Sequence, residues 1–167
     1  MLRTSLVVRV HLAARLAAIA FSPLLSFPTL ALAQNSLPQL VPLQAYIDQS
    51  DIEKDPAALG YIASRCSALY AVFAKGMEGE TDPDRQRAKV EWTQIAENFM
   101  GTAEKTMMIG STIEFQNAVA KEKDIIVKLG NMYTERIEDA RLRTNNMFSD
   151  SIIAGDFSVC KTLARVK

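Results

Sequence analysis

The chain has 167 residues, of which 49% are apolar, 23% charged and 7% aromatic, and its 19 Lys and Arg balance 19 Asp and Glu. With seven Gly, six Pro and two Cys, it is not a collagen-like repeat, a disordered polar chain or a disulfide-dense miniprotein. One globular domain is the composition's natural outcome, and no activity is written in it.

Residues 1–33 carry Arg3, Arg9 and Arg15 and no acidic residue. An apolar stretch runs from Leu16 to Ala33 and closes on Ala31-Leu32-Ala33 before Gln34. A basic start, an apolar middle and a small-x-small end are the parts of a secretory signal peptide, so cleavage after residue 33 and a periplasmic or secreted destination are expected. The competing reading is a retained membrane anchor, against which stand Pro23 and Pro28 inside a run at the lower edge of spanning length. Removing the first 33 of 167 residues leaves 134, with 16 basic and 19 acidic side chains, a net charge of −3. A mildly acidic surface argues against nucleic acid as a partner, because phosphates call for a basic face.

The sole histidine, His11, lies within that leader. The expected mature protein therefore lacks the commonest general base, the commonest metal ligand and the usual partner of a Ser or Cys nucleophile. No cofactor and no enzymatic activity are expected.

Gln34 to Pro42 reads as an extended leader, with Leu43 to Gln49 as a short helix and Ser50 to Lys54 as a charged turn. Residues 34–54 are thus set apart from a helical domain over 55–167. Asp55-Pro56 is a helix start, since Asp caps free amides and Pro suits the first turn. Leu59, Ile62, Cys66, Leu69, Phe73 and Met77 then mark one apolar stripe on a helix over about 56–77, stopped by Gly76 and Gly79. Asp82-Pro83 repeats the start, with Asp84 placed where the helix dipole favours negative charge. Ala88, Trp92, Ile95, Phe99, Ala103 and Met107 form the second stripe, weakened at Gly101, and Gly110-Ser111-Thr112 breaks or bends it.

The third stripe is Phe115, Val119, Ile126, Leu129, Tyr133, Ile137 and Ala140 on a helix over roughly 112–143. Charges between Lys121 and Arg143, Glu122 among them, form its solvated face, with pairs such as Asp124–Lys128. Asn145-Asn146 ends it, because Asn tolerates left-handed backbone. Ser149 or Asp150 caps a last helix with Ile152, Ile153, Phe157, Cys160 and Leu163 as its apolar positions. The fold class expected is all-α, a small four-helix bundle-like domain.

Cys66 and Cys160 are an even pair in an exported chain, so one disulfide between them is expected. It closes about 95 residues and, in the chain-entropy description, stabilises by roughly 4–5 kcal/mol at most.

Candidate chemistry is thin. Ser158-Val159-Cys160-Lys161 has Ser-x-x-Lys spacing, which places an amine one turn from a hydroxyl, but S-D-N and K-T-G are missing, so a solvated helix end is expected. Glu135, Glu138 and Asp139, and Glu91, Glu97 and Glu104, suggest the carboxylates of a di-iron bundle, yet Glu-x-x-His is impossible here. Met77, Met100, Met107, Met108, Met132 and Met147 are soft Cu(I)-type donors, more simply read as core filler. Tyr61, Arg65 and Tyr70 flank the Cys66 stripe and are the possible recognition residues. Arg65 is expected to send its head to water, a carboxylate or a ring face.

The run Gly60-Tyr61-Ile62-Ala63-Ser64-Arg65-Cys66-Ser67-Ala68-Leu69-Tyr70 resembles a segment of small exported helical proteins of proteobacteria that have a signal and an Arg-Cys-small-Ala-Leu-Tyr helix. The resemblance covers about a dozen residues; it implies export and carries no activity. Together these features point to a small exported, non-enzymatic helical protein that binds a protein or envelope component, with no nucleic acid and no membrane contact unless the leader is kept. The alternatives are a periplasmic holdase of the acid-activated kind, which predicts dye-binding apolar surface at low pH, and a membrane-tethered accessory subunit.

Overall fold

The computed structural model describes residues 40–109 and 115–165. The leader at 1–33, the extended stretch 34–39 and the Gly110-Ser111-Thr112 break lie outside the described residues.

The fold is all-α. Five helices follow in order among the described residues: α1 (Leu43–Gln49), α2 (Pro56–Lys75), α3 (Pro83–Met108), α4 (Phe115–Thr144) and α5 (Ser151–Leu163), with a 3-10 turn at Met147–Ser149 before the last. Their starts obey the chemistry of unpaired helix amides. Asp55 accepts from Ala57 N at 2.9 Å, Asp82 from Asp84 N and Arg85 N, and Asp150 from Ile152 N and Ile153 N. Pro56 and Pro83 occupy first-turn positions where no amide partner is lost. Gly79, at φ 81°, lets the chain turn between α2 and α3, and Asn145, at φ 55°, ends α4 in left-handed backbone.

Pair contacts set the direction of each helix. Gly60 meets Thr106, and Phe73 meets Trp92 at 5.4 Å between ring centroids, so α3 returns along α2. Ser64 reaches Glu122 and Gly130 faces Val72, so α4 runs with α2. Tyr70 and Phe73 meet Phe157 while Cys66 meets Cys160, so α5 runs against α2. The four long helices therefore alternate up and down, as short connections favour.

Helix α2 is the central rod. Every residue from Ile62 to Tyr70 is buried, whichever way it points. The expected single stripe is thus corrected to a helix covered all round over Ile62–Tyr70, while Leu59, one of that stripe's members, lies at the surface. By length and hydropathy α2 would also serve as a membrane span, but 72% of that window is buried inside the bundle. Leu40 and Leu43 enter the same core, so the described part of the 34–54 segment packs with the helices that follow it. At one end of the bundle, Tyr70, Phe73, Trp92, Phe148 and Phe157 form a ring cluster with centroids 5.4–6.5 Å apart, in tilted and edge-to-face arrangements that aromatic quadrupoles favour.

The Cys66–Cys160 disulfide is present, with Cα atoms 5.4 Å apart and the two residues separated by 94 in sequence. It ties the middle of α2 to the far end of α5 and is compatible with an oxidising compartment.

Candidate functional site

Burial of α2 on all sides has a consequence for its polar residues: each must find a partner inside. Arg65 is 0% exposed and reaches three ways. Its Nη2 pairs with Asp156 Oδ2 on α5, its Nε donates to Tyr133 Oη on α4 at 3.1 Å, and its Nη1 donates to Val41 O at 2.7 Å. Tyr133 Oη donates to Asp156 Oδ2 at 2.5 Å, and the other carboxylate oxygen accepts from Leu43 N at 2.8 Å. One buried network thereby fixes α2, α4, α5 and the entry to α1. Burial works against the guanidinium's charge, but Tyr133 and Asp156 outweigh it and hold the pKa above the usual value. Burial, reinforced by the Asp156 charge, pushes the Tyr133 phenol well above its usual range, so it stays a neutral donor.

The expected recognition trio is divided by this arrangement. Arg65 and Tyr70 are buried, Tyr70 within the ring cluster, and a side chain without exposure presents nothing to a partner. Of the ends expected for the Arg65 head, it takes a carboxylate, Asp156, and the ring faces of Tyr61 and Tyr133. Tyr61 alone stays half-buried, its ring packed on Tyr46 at 4.8 Å and facing the Arg65 guanidinium at 5.8 Å. Ser158 and Lys161 are exposed at the end of α5. Glu135, Glu138, Asp139, Glu91 and Glu97 are exposed, and Glu104 is half-buried. Leu163, expected in the core, is at the surface.

The largest departure concerns Glu122. Expected on the solvated face of α4, it is 1% exposed. The inner stripe at the start of α4 runs Ala118, Glu122, Ile125 or Ile126, then Leu129, one position off the expected Val119 register. Glu122 Oε1 lies in short hydrogen-bond contact with Ser64 Oγ on α2, while Ser64 Oγ also lies 2.7 Å from Gly60 O. A hydroxyl has one hydrogen, and these two contacts ask for it twice. A protonated Glu122 satisfies both: the carboxyl donates to Ser64, and Ser64 donates to Gly60 O. The environment agrees, since burial raises the pKa of Glu122, and the nearby Glu104 charge adds to this against the opposing Ser64 hydrogen bond.

Glu122 and Ser64 form the floor of a half-open cleft of about 390 Å3 between α2, α3 and α4. Pro56, Met107, Ile109 and Ile125 give it apolar walls, and Tyr61, Thr106 and Lys121 contribute polar groups. A second depression, about 550 Å3, lies beside the ring cluster between Phe73, Trp92 and Met147, under a rim that includes the Arg85–Glu80 pair at 2.5 Å. Its rim charges are partly paired with each other, whereas the first cleft holds a buried acid at its base. Concave, mostly apolar walls with few convergent polar groups and a perturbed acid are the marks of a ligand site. Sequence reasoning could have found Glu122 from its position: it is four residues from both Ala118 and Ile126, on a face otherwise made of small and apolar residues.

No protein-family model, no curated protein and no solved structure matches the chain.

Proposed function

We propose that this chain is an exported, non-enzymatic helical protein that binds a component of its envelope surroundings in the cleft between α2, α3 and α4. The observation that carries this reading is the fully buried Glu122 at the base of a cleft with mostly apolar walls. Burying a carboxyl costs free energy unless it is paired or neutral, and a bundle core gains nothing from it that Leu would not supply. Export is supported by the basic and apolar leader ending Ala31-Leu32-Ala33 and by the bridging of both cysteines.

The test is a titration of the isotope-labelled, disulfide-bonded chain with an extract of its native envelope, read residue by residue in amide spectra. Binding moves the amides of Tyr61, Ser64, Thr106 and Ile125. An extract that shifts amides only elsewhere on the surface overturns the cleft as the working site.

A further inference from the structure

We propose that the occupant of the cleft is an organic ammonium ion carried on a small apolar body; this deepens the binding role proposed above and rests on it. The chemistry of the walls decides the class. The cleft is rich in acceptors and poor in donors. Thr106 Oγ1 commits its hydrogen to Ala103 O at 2.8 Å, which leaves the oxygen as an acceptor facing the cleft. Asp55 at the mouth accepts only, and Glu122 supplies two carboxyl oxygens at the floor. Lys121 is exposed at the rim, and among the described lining residues the Tyr61 hydroxyl is the other side-chain donor. An ammonium group, with up to three hydrogens and no lone pair, complements that set; a carboxylate or phosphate does not.

Charge points the same way. Asp55, the cap of α2, and Glu122 from α4 line the space, against Lys121 from α4, and Glu104 on α3 is near enough for its charge to act on Glu122. The Arg65 charge behind Tyr61 is matched by Asp156. An anion would meet the Asp55 and Glu122 carboxyls, and a neutral alcohol would leave the floor acid no better partnered than water does. A volume of about 390 Å3 lies in the range of small-molecule sites. The walls from Pro56, Met107, Ile109 and Ile125 accept an aromatic ring or a short alkyl chain.

Protons balance simply. At a pH below its transition, the Glu122 carboxyl of the empty cleft is protonated. When the ammonium enters, the Glu122 O–H bond breaks and its proton passes to solvent, and the carboxylate that remains accepts an N–H hydrogen bond. One proton is released per ligand bound, and no covalent bond to the ligand forms or breaks.

The probes are benzylamine, benzyl alcohol and benzoate, added to the disulfide-bonded chain at pH below the Glu122 transition. Amide spectra locate binding, and calorimetry in buffers of different ionisation heat counts protons. Benzylamine is expected to move the amides of Tyr61, Ser64, Thr106 and Ile125, to bind at least 10-fold more tightly than benzyl alcohol, and to release close to one proton. Glu122→Gln keeps the shape and a donor toward Ser64, and is expected to weaken benzylamine 10-fold or more while leaving benzyl alcohol unchanged. The proton count on the unaltered chain stands independently of that variant's folding. If benzyl alcohol or benzoate moves the same amides as strongly as benzylamine, the ammonium is overturned while the cleft remains a binding site. If benzylamine binds with no proton released, or equally to Glu122→Gln, the ammonium is overturned too. If none of the three moves a cleft amide, this ligand class is overturned, and the envelope titration decides the binding role separately.

Discussion

Arg65 on α2 and Asp156 on α5 form an ion pair in which neither side chain has any solvent exposure, one position from Cys66 and one helical turn from Cys160. A covalent tie and an electrostatic tie thus join the same two helices at the same level, and the electrostatic one also holds the chain at Val41 and Leu43. Paired buried charges stabilise little over a well-packed apolar pair, but a single buried charge left alone is severely unfavourable.

Asp156→Asn and Arg65→Met are each expected to lower unfolding free energy by about 3–5 kcal/mol, because each strands a partner in the interior. The Arg65→Met/Asp156→Leu double variant is expected to cost clearly less than the two single effects added together. Urea unfolding of the four proteins checks this, and simple additivity would contradict it.

The disulfide stabilises through the long segment it closes. Replacing both Cys66 and Cys160 by Ala is expected to cost about 2–5 kcal/mol. The loss should be uneven: α5 and the α1 segment, which share the Asp156 anchor, are expected to exchange amide hydrogens faster than α2 and α3. Hydrogen exchange on the oxidised chain and the double variant gives the comparison; uniform acceleration across all helices would refute the shared anchor.

Much of the architecture was legible beforehand because punctuation is local chemistry. Asp55-Pro56, Asp82-Pro83 and Asp150 act at short range: each starts a helix where its capping oxygen dictates, helped in the first two by the missing proline amide. The α1 bounds, the Asn145 stop and the Cys66–Cys160 pairing followed from similarly local or compositional rules. The polar interior was not legible. Glu122 and Asp156 look like surface acids because their burial depends on partners 58 and 91 positions away, Ser64 and Arg65. Helical periodicity shows which side of α4 or α5 a residue occupies, but not that α2 is enclosed on every side and needs polar partners from its neighbours. Thus the candidate site, unlike the helices, is a tertiary property.

Two carboxyls give opposite pH signatures. Glu122 is raised from its ordinary 4.5, first by burial. The folded chain therefore holds its proton more tightly than the unfolded one, so this contribution is full below pH 4.5 and is lost as pH climbs through the folded transition. Glu122→Gln, permanently neutral, is expected to match the parent below pH 4.5 and to gain on it steadily above. For Asp150, burial opposes the charge, but the Ile153 amide, Arg136 and the Ile152 amide outweigh it and hold the pKa below its ordinary 3.8. That contribution is present above pH 3.8 and is lost as pH falls through the folded transition, so the deficit of Asp150→Asn should shrink in acid. Urea midpoints measured from pH 2.5 to 8 read both trends. A Glu122→Gln advantage that did not grow with pH would show that the acid is already ionised.

Glycine substitution separates close packing from helix propensity on the same scaffold. A Cβ at Gly60 would sit 2.7 Å from Thr106 Oγ1, a short β-branched side chain held by its own bond to Ala103 O. Overpacking of this kind costs about 1–3 kcal/mol, partly offset by the gain of about 1 kcal/mol from replacing a helical Gly. At Gly101, also helical, an added Cβ meets nothing within 4 Å. Gly60→Ala is therefore expected to destabilise and Gly101→Ala to stabilise by up to about 1 kcal/mol. Adding Thr106→Ala to Gly60→Ala removes the clashing oxygen and should recover most of the loss. Thermal unfolding of the three variants decides the matter: if Gly60→Ala melts above the parent chain, α2 and α3 do not approach as closely at that level as the contact requires.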